Sequence, residues 1–273
     1  MLPALLVYCC VVVLPALYTA FLSLFKWNGL GEKKFVLFRN YVNLFTTDAV
    51  FKTALKNNII WIILTLLFTM TIALLLAMLL NRKFKGRVVY RAIFYFPYML
   101  SWIVIGIIWK WIYNPNIGFL DSLLNLLGIQ TSGAGWLSDP KIALYCVFAA
   151  ALWQGVGQPM LYFLAGLQGI PQELYEAAAV DGAGKVATFF NVTIPQLKET
   201  FVIVLATLVI ASLKVYDVVY VMTNGGPVNS TQTLASYMYA QTFSYSNLGT
   251  GSTIVVVMMV MMMVIIIPYV LYT

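Results

Sequence analysis

Six stretches of this chain are too long and too evenly apolar to sit inside a water-soluble fold. They cover about 2–25, 57–80, 92–113, 142–166, 200–222 and 250–273, and each reaches the roughly 20 apolar residues that a helix needs to cross a bilayer. The apolar character continues all round each stretch, as lipid contact demands. Strands of a closed barrel would instead alternate over segments of about ten residues. Of 273 residues, 62% are hydrophobic and 9% charged, against about a quarter charged in an average soluble domain. That is too little charge to coat a soluble globule and too much hydrophobicity for disorder. The expected fold is all-α and integral to the membrane, one polytopic domain over residues 1–273 with six transmembrane helices.

The net charge of +7 comes from 16 Lys and Arg against 9 Asp and Glu. In a membrane protein such an excess belongs to cytoplasmic loops facing anionic lipid, rather than to nucleic acid. With no histidine in the chain, His-ligated metals and His-based catalytic triads are excluded. Cys9, Cys10 and Cys146 all lie in apolar runs without metal-ligand spacing, and read as small buried side chains. The first run is a poor secretory signal: no basic residue precedes Lys26, the apolar core is too long, and no small-x-small cleavage site follows. The chain starts and stops inside apolar runs, as expected if flanking cytoplasmic tails lie outside it.

Orientation rests on charge density. Arg82, Lys83, Lys85, Arg87 and Arg91 form a basic loop with no acid among them, which argues for the cytoplasm. The 26–56 connection on the opposite face carries six basic residues of its own, so the raw sum does not decide. Density puts 81–91 and both termini inside, and 26–56, 114–141 and 223–249 outside. Residues 114–141 hold the turn formers Pro115, Gly118, Gly128, Gly133, Gly135 and Pro140. Residues 223–249 are uncharged, polar and rich in tyrosine, suited to contacts with sugars or proteins or simply to a solvated turn.

The 167–199 connection carries the most specific pattern. Pro171 is placed to start a helix at its first position, Glu173 complements the dipole of the first turn, and Ala177, Ala178 and Ala179 favour helix with little side chain. Gly182 ends the run. The product is a short surface helix bare enough for another protein to approach closely. The order Glu176-Ala177-Ala178, three residues, Gly182, nine residues, then Val192-Thr193-Ile194-Pro195 resembles the EAA loop of permeases in binding-protein-dependent ABC importers. Val192 and Ile194 are conservative departures from that motif. Arg39-Asn40-Tyr41, Gly86-Arg87 to Pro97, Trp153-Gln154, Ala165-Gly166-Leu167-Gln168 and Asn224-Gly225-Gly226-Pro227 are similar to the carbohydrate branch of that family, the maltose and glycerol-phosphate importer type.

The resemblance implies the six-helix permease fold of type I ABC importers in a bacterial or archaeal cell membrane. It implies a second, homologous permease as heterodimer partner, two cytoplasmic ATPase subunits that bind the ATP and Mg²⁺, an extracellular solute-binding protein, and a sugar substrate. This chain would hold no cofactor and perform no covalent chemistry. Leu174, Tyr175, Glu176, Ala177, Ala178, Asp181, Gly182 and Ala183 would dock the ATPase.

Polar groups inside apolar runs are costly and mark function. Lys214 and Asp217, at i and i+3, share a helix face and could pair, with Tyr216 and Tyr220 beside them; the resemblance implies that this stretch lines the translocation path, and a structural ion pair toward a neighbouring helix is the alternative. Gln154 and Gln158 follow Trp153 among Gly155, Gly157 and Pro159, a cluster that frees backbone groups only where protein or a wet cavity can satisfy them. Tyr98, Ser101 and Trp102 could extend such a surface, and Trp109 and Trp111 read as interfacial belt residues. Gly182-Ala183-Gly184-Lys185 fails as a phosphate-binding loop, because Ala179 stands where the first glycine is needed and Val186 follows the lysine. The competing readings are an ion-coupled secondary transporter using Lys214 and Asp217, which would not need the EAA loop, and a membrane scaffold, which leaves the intramembrane polar residues without purpose.

Overall fold

The computed structural model describes residues 2–129 and 135–272, so Gly133 lies outside the described residues. Among those residues three helices are long and apolar enough to cross a bilayer without interruption: α1 (Leu2–Leu22), α3 (Ala49–Asn81) and the Leu248–Pro268 part of α14 (Leu248–Tyr272). At 33 residues, α3 is about 50 Å long, well beyond a hydrocarbon core of about 30 Å. It starts before its apolar run because Asp48 caps it, accepting the Phe51 N–H at 2.8 Å. The last part of the expected 26–56 loop is therefore helix.

Two apolar runs that read as straight spans are broken. Residues 92–113 fall in α4 (Arg87–Met99) and α5 (Trp102–Ile112), which meet at 98°. Leu100 between them is extended, and the Ser101 hydroxyl caps α5 by accepting the Val104 N–H at 3.3 Å. Before the fifth run, α10 (Lys185–Gln196) meets α11 (Lys198–Leu213) at 69°. The run then breaks again, and α12 (Asp217–Thr223) follows after Lys214–Tyr216. Residues 142–166 form α7 (Ala143–Gly155) and α8 (Gly157–Gly169), joined by Val156. Hydropathy registers apolar length and is blind to such breaks, because a single Ser101 or Lys214 is averaged out by its apolar neighbours.

At the end of the molecule where α3 begins, the 26–56 connection is built rather than loose. Phe25–Lys26 (β1) pairs antiparallel with Lys34–Phe35 (β2), and α2 (Arg39–Thr46) follows. Asn40 clamps the start of the hairpin, its Nδ2 donating to the carbonyls of Ser23 at 2.8 Å and Phe25 at 2.9 Å. Gly249 of α14 donates its N–H to the Trp27 carbonyl at 3.2 Å. Glycine is required there, since a Cβ would collide with the Phe25 carbonyl. In the 114–141 connection, α6 (Phe119–Leu126) carries the buried Asp121, which accepts the Trp136 indole N–H at 3.0 Å.

The apolar core has three parts. Ala73, Ala77, Met160, Phe163 and Val204 pack α3 against α8 and α11, while Trp61, Ile105, Val147 and Val219 join α3, α5, α7 and α12. Phe51, Leu234 and Ile254 close the hairpin end. Trp109 belongs with the second part, its indole nitrogen buried, and is not a belt residue; Trp111 is 75% exposed. All three cysteines are free, and Cys10 is exposed rather than buried, because α1 has little protein around it.

The largest departure from the sequence reading is in 223–249. Thr231, Thr233 and Leu234 are fully buried, leading into α13 (Leu234–Tyr239). The segment folds back into the bundle because α3 offers it two amides. Asn57 donates to the carbonyls of Ser230 and Gln232, both at 2.8 Å. Asn58 donates to the Ser212 carbonyl at 2.8 Å and accepts the Leu234 N–H at 2.7 Å. Replacing Asn58 by Leu orphans both of those groups, at about 1–3 kcal/mol each. The variant is expected to unfold in detergent well below the wild-type midpoint, while Lys56→Ala, an exposed change two residues away on the same helix, leaves the midpoint in place.

Candidate functional site

Tyr98, Trp102, Gln154 and Gln158 come together around one small cavity of about 100 Å³, lined also by Trp61, Thr65, Thr69 and Ser212. Every element around it departs from regular α-helix at this level. There is a π-bulge at Thr65–Thr69 in α3, the bend at Leu100, the Val156 joint, and the end of α11 at Leu213. Gln154 is 3% exposed, and its Nε2 donates to the carbonyls of Leu100 at 3.3 Å and Tyr98 at 3.5 Å. It thereby satisfies backbone freed by the α4–α5 bend. Its Oε1 is buried with no partner, an acceptor that needs a donor from water or a ligand. Gln158 donates to the Tyr162 hydroxyl at 2.8 Å. Two amides, five hydroxyls and four aromatic rings around a space for about three waters suit molecules that present both hydroxyls and C–H faces.

The other expected residues lie elsewhere. Trp153 is 43% exposed and packs on Trp109 at 6.1 Å between ring centroids. Lys214 and Tyr216 line a separate apolar groove of about 450 Å³ with Met238, Tyr239, Met258 and Met262. Tyr216 stacks on Tyr220 at 5.3 Å and lies 4.9 Å from Tyr239. The expected pairing of Lys214 and Asp217 on one helix face does not hold: Lys214 ends α11 and exposed Asp217 starts α12, so the i, i+3 rule has no continuous helix to act on. Tyr239, Thr65 and Thr69 escaped the sequence reading. The two threonines at i and i+4 were the available signal. In the same connection the Tyr237 hydroxyl donates to Asp48 at 2.6 Å.

The surface helix of the 167–199 connection is α9 (Gln172–Val180), with no buried residue. Pro171 precedes the helix as its N-cap, φ −58° and ψ 133°, instead of occupying the first helical position. Glu173 is in the first turn as expected. The end is a Schellman motif: Ala183 N–H bonds the Ala178 carbonyl at 2.9 Å and Gly182 N–H bonds Ala179 at 3.1 Å. Gly182 has φ +74°, and a Cβ there would meet nothing within 4 Å, so backbone conformation alone selects glycine. Glu176 accepts from Gln172 at 2.9 Å, and the Tyr175 hydroxyl lies 3.3 Å from Thr193, tying α9 to α10. Leu174, Ala177 and Val180 are exposed.

Residues 69–272 match the family model of the binding-protein-dependent transport system inner membrane component. The chain belongs to that family. The permease is 35% identical to a probable ABC transporter permease of Pyrococcus horikoshii over all of this chain and 94% of the relative. It is 34% identical to the trehalose/maltose transport system permease of Thermococcus litoralis, over 91% of this chain and 82% of the relative. Its fold is that of a bacterial alginate ABC transporter solved in complex with an alginate pentasaccharide-bound periplasmic protein. That likeness has a TM-score of 0.84 and 20% identity, over 98% of this chain and 90% of that one. The permease is thus a multi-pass, all-α component of the inner membrane.

Because Gly182 is held at positive φ, Gly182→Val costs about 1–2 kcal/mol locally and unwinds the end of α9 without reaching the core. Gly182→Val and Glu176→Lys are expected to insert normally while losing ATPase subunits in a pull-down or losing ATP-driven uptake. Full ATPase retention with undiminished uptake in both variants would contradict a docking role for α9.

Proposed function

We propose that this permease is the transmembrane subunit of an ATP-driven importer of a sugar or oligosaccharide and forms half of its translocation path. The observation that carries the reading is a cavity ringed by broken helices and lined by Gln154, whose buried Oε1 has no hydrogen-bond partner. Irregular backbone at bilayer depth survives where it lines a polar cavity. The cavity is smaller than the roughly 300–1,000 Å³ of ordinary ligand pockets, consistent with a path completed by a second, related permease and opened only in part of the cycle. Tyr98, Trp102, Gln154 and Gln158 take sugar hydroxyls and C–H faces; Trp153, Lys214, Tyr216, Asp217 and Tyr220 line the approach beside the partner. The named substrates of the Thermococcus relative support the carbohydrate class.

Two ATPase subunits hold the ATP and Mg²⁺, and the 167–199 loop couples one of them to the spans. Leu174, Tyr175, Glu176, Ala177, Ala178, Asp181, Gly182 and Ala183 form the contact. Closure of the ATPases pushes α9, and the bend at Leu197 passes the motion to α11. This is rigid-body gating about a bistable interface. An extracellular solute-binding protein delivers the sugar, as the alginate transporter's periplasmic protein supports.

The test is reconstitution in liposomes. The complete complex is expected to take up sugar only with ATP and binding protein present, and the isolated permease to neither bind nor hydrolyse ATP. Uptake driven by an ion gradient through this chain without ATPase subunits would overturn the reading in favour of a secondary transporter.

A further inference from the structure

At the hairpin end lies a cleft of about 780 Å³ bordered by β1, β2, α2 and the start of α14, apart from the cavity beside Gln154. We propose that this cleft is a cationic seat for acidic side chains of the solute-binding protein, an assignment that rests on the importer reading above.

The charge pattern points there first. An external connection with six basic residues runs against the usual bias of membrane proteins, and the structure shows where those charges go. Lys33 is occupied, donating to the Tyr18 hydroxyl at 2.9 Å and lying 4.5 Å above the Trp27 ring. Lys52 caps the Thr46 carbonyl at 2.7 Å. Of the remaining four, Lys26, Lys34 and Arg39 all border the cleft, where Glu32 is the single carboxylate. The lining is otherwise rich in amides, including Asn40, Asn43 and Asn247.

Its walls are fixed before any partner arrives. Asn40 holds the carbonyls of Ser23 and Phe25, Gly249 binds Trp27, and the Ser23 and Tyr41 hydroxyls lie 2.6 Å apart. A backbone fixed in this way sets the positions of the three cationic residues without waiting for a partner.

The two faces of α2 decide which kind of anion it serves. Phe38, Val42 and Phe45, at i, i+4 and i+7, are 66%, 56% and 49% exposed, an apolar stripe suited to lying in the lipid interface. Arg39, Asn40 and Asn43 occupy the other side of the same helix and face the cleft. A helix that lays its aromatic stripe toward lipid turns its cations toward water. The cleft therefore meets a soluble acidic surface and lies on the wrong side for a lipid headgroup. Complementary charge at such a site speeds encounter and fixes register.

The test uses the assembled importer in lipid nanodiscs, titrated with its binding protein while ATP hydrolysis is followed. The triple variant Lys26→Glu, Lys34→Glu, Arg39→Glu, all exposed positions, is expected to raise the half-saturating binding-protein concentration at least tenfold at low salt. Its binding-protein-independent hydrolysis stays unchanged, and the gap narrows at about 0.5 M salt, where the Debye length falls to a few ångströms. Glu32→Gln shifts the curve the other way. A triple variant that saturates like wild type overturns the cleft assignment alone, and a shift that disappears when anionic lipid is left out overturns it in favour of a headgroup site. Wild-type importer that the binding protein never stimulates overturns the importer reading instead.

Discussion

No backbone N–H or C=O can be left unpaired at bilayer depth, and this permease breaks its helices there repeatedly. What permits the break in the fifth apolar run is the pair of amides on α3. Asn57 and Asn58 together bond four backbone groups of other segments: the carbonyls of Ser230, Gln232 and Ser212 and the N–H of Leu234. Thr233 adds a bond to the Val215 carbonyl at 2.8 Å, inside the gap between α11 and α12. The stop in the fifth apolar run and the inward fold of 231–237 are thus one arrangement, each supplying partners for the other. The apolar clusters pack around a polar seam that they could not replace.

Gln154 works by the same logic across the cavity that Ser212 also lines, offsetting the α4–α5 bend with its two donors. The difference lies in the acceptor. Asn58 uses its oxygen on Leu234, whereas the oxygen of Gln154 has no partner. An amide whose oxygen is bonded is complete as a structural tie, whereas a buried unpartnered oxygen retains capacity for a donor.

The apolar runs were legible because lipid contact leaves a long, unmistakable signal. The α9 helix was legible because caps and glycines are local: Glu173, Gly182 and the alanines specify it within about twelve residues. Pro171 missed by one position, a slip that propensity rules cannot resolve. The breaks at Leu100 and Leu213 were not legible, since those residues look like any other apolar ones and the cause lies about 54 or 154 residues away, in the partners Gln154 and Asn58; the Val156 joint does fall where Gly155, Gly157 and Pro159 marked a disruption. The hairpin and α2 were hidden for the same reason, with Asn40 acting on Ser23 and Phe25 across the turn. Polar residues in apolar runs were the one remote signal available, and among them Asn57 and Asn58 went unread because they sit at the start of a run, where polarity is unremarkable.

The central claim is that the cavity beside Gln154 lies on the path and changes access with the ATPase cycle. Its direct measurement is thiol labelling of Thr65→Cys and Gln158→Cys, each in a background lacking Cys9, Cys10 and Cys146, within the assembled importer. The account predicts that both positions react with a small water-soluble thiol reagent from one side of the membrane at rest and from the other side when ATP hydrolysis is trapped. Substrate should slow the reaction. Reactivity that is unchanged by nucleotide state and by substrate at both positions would contradict it.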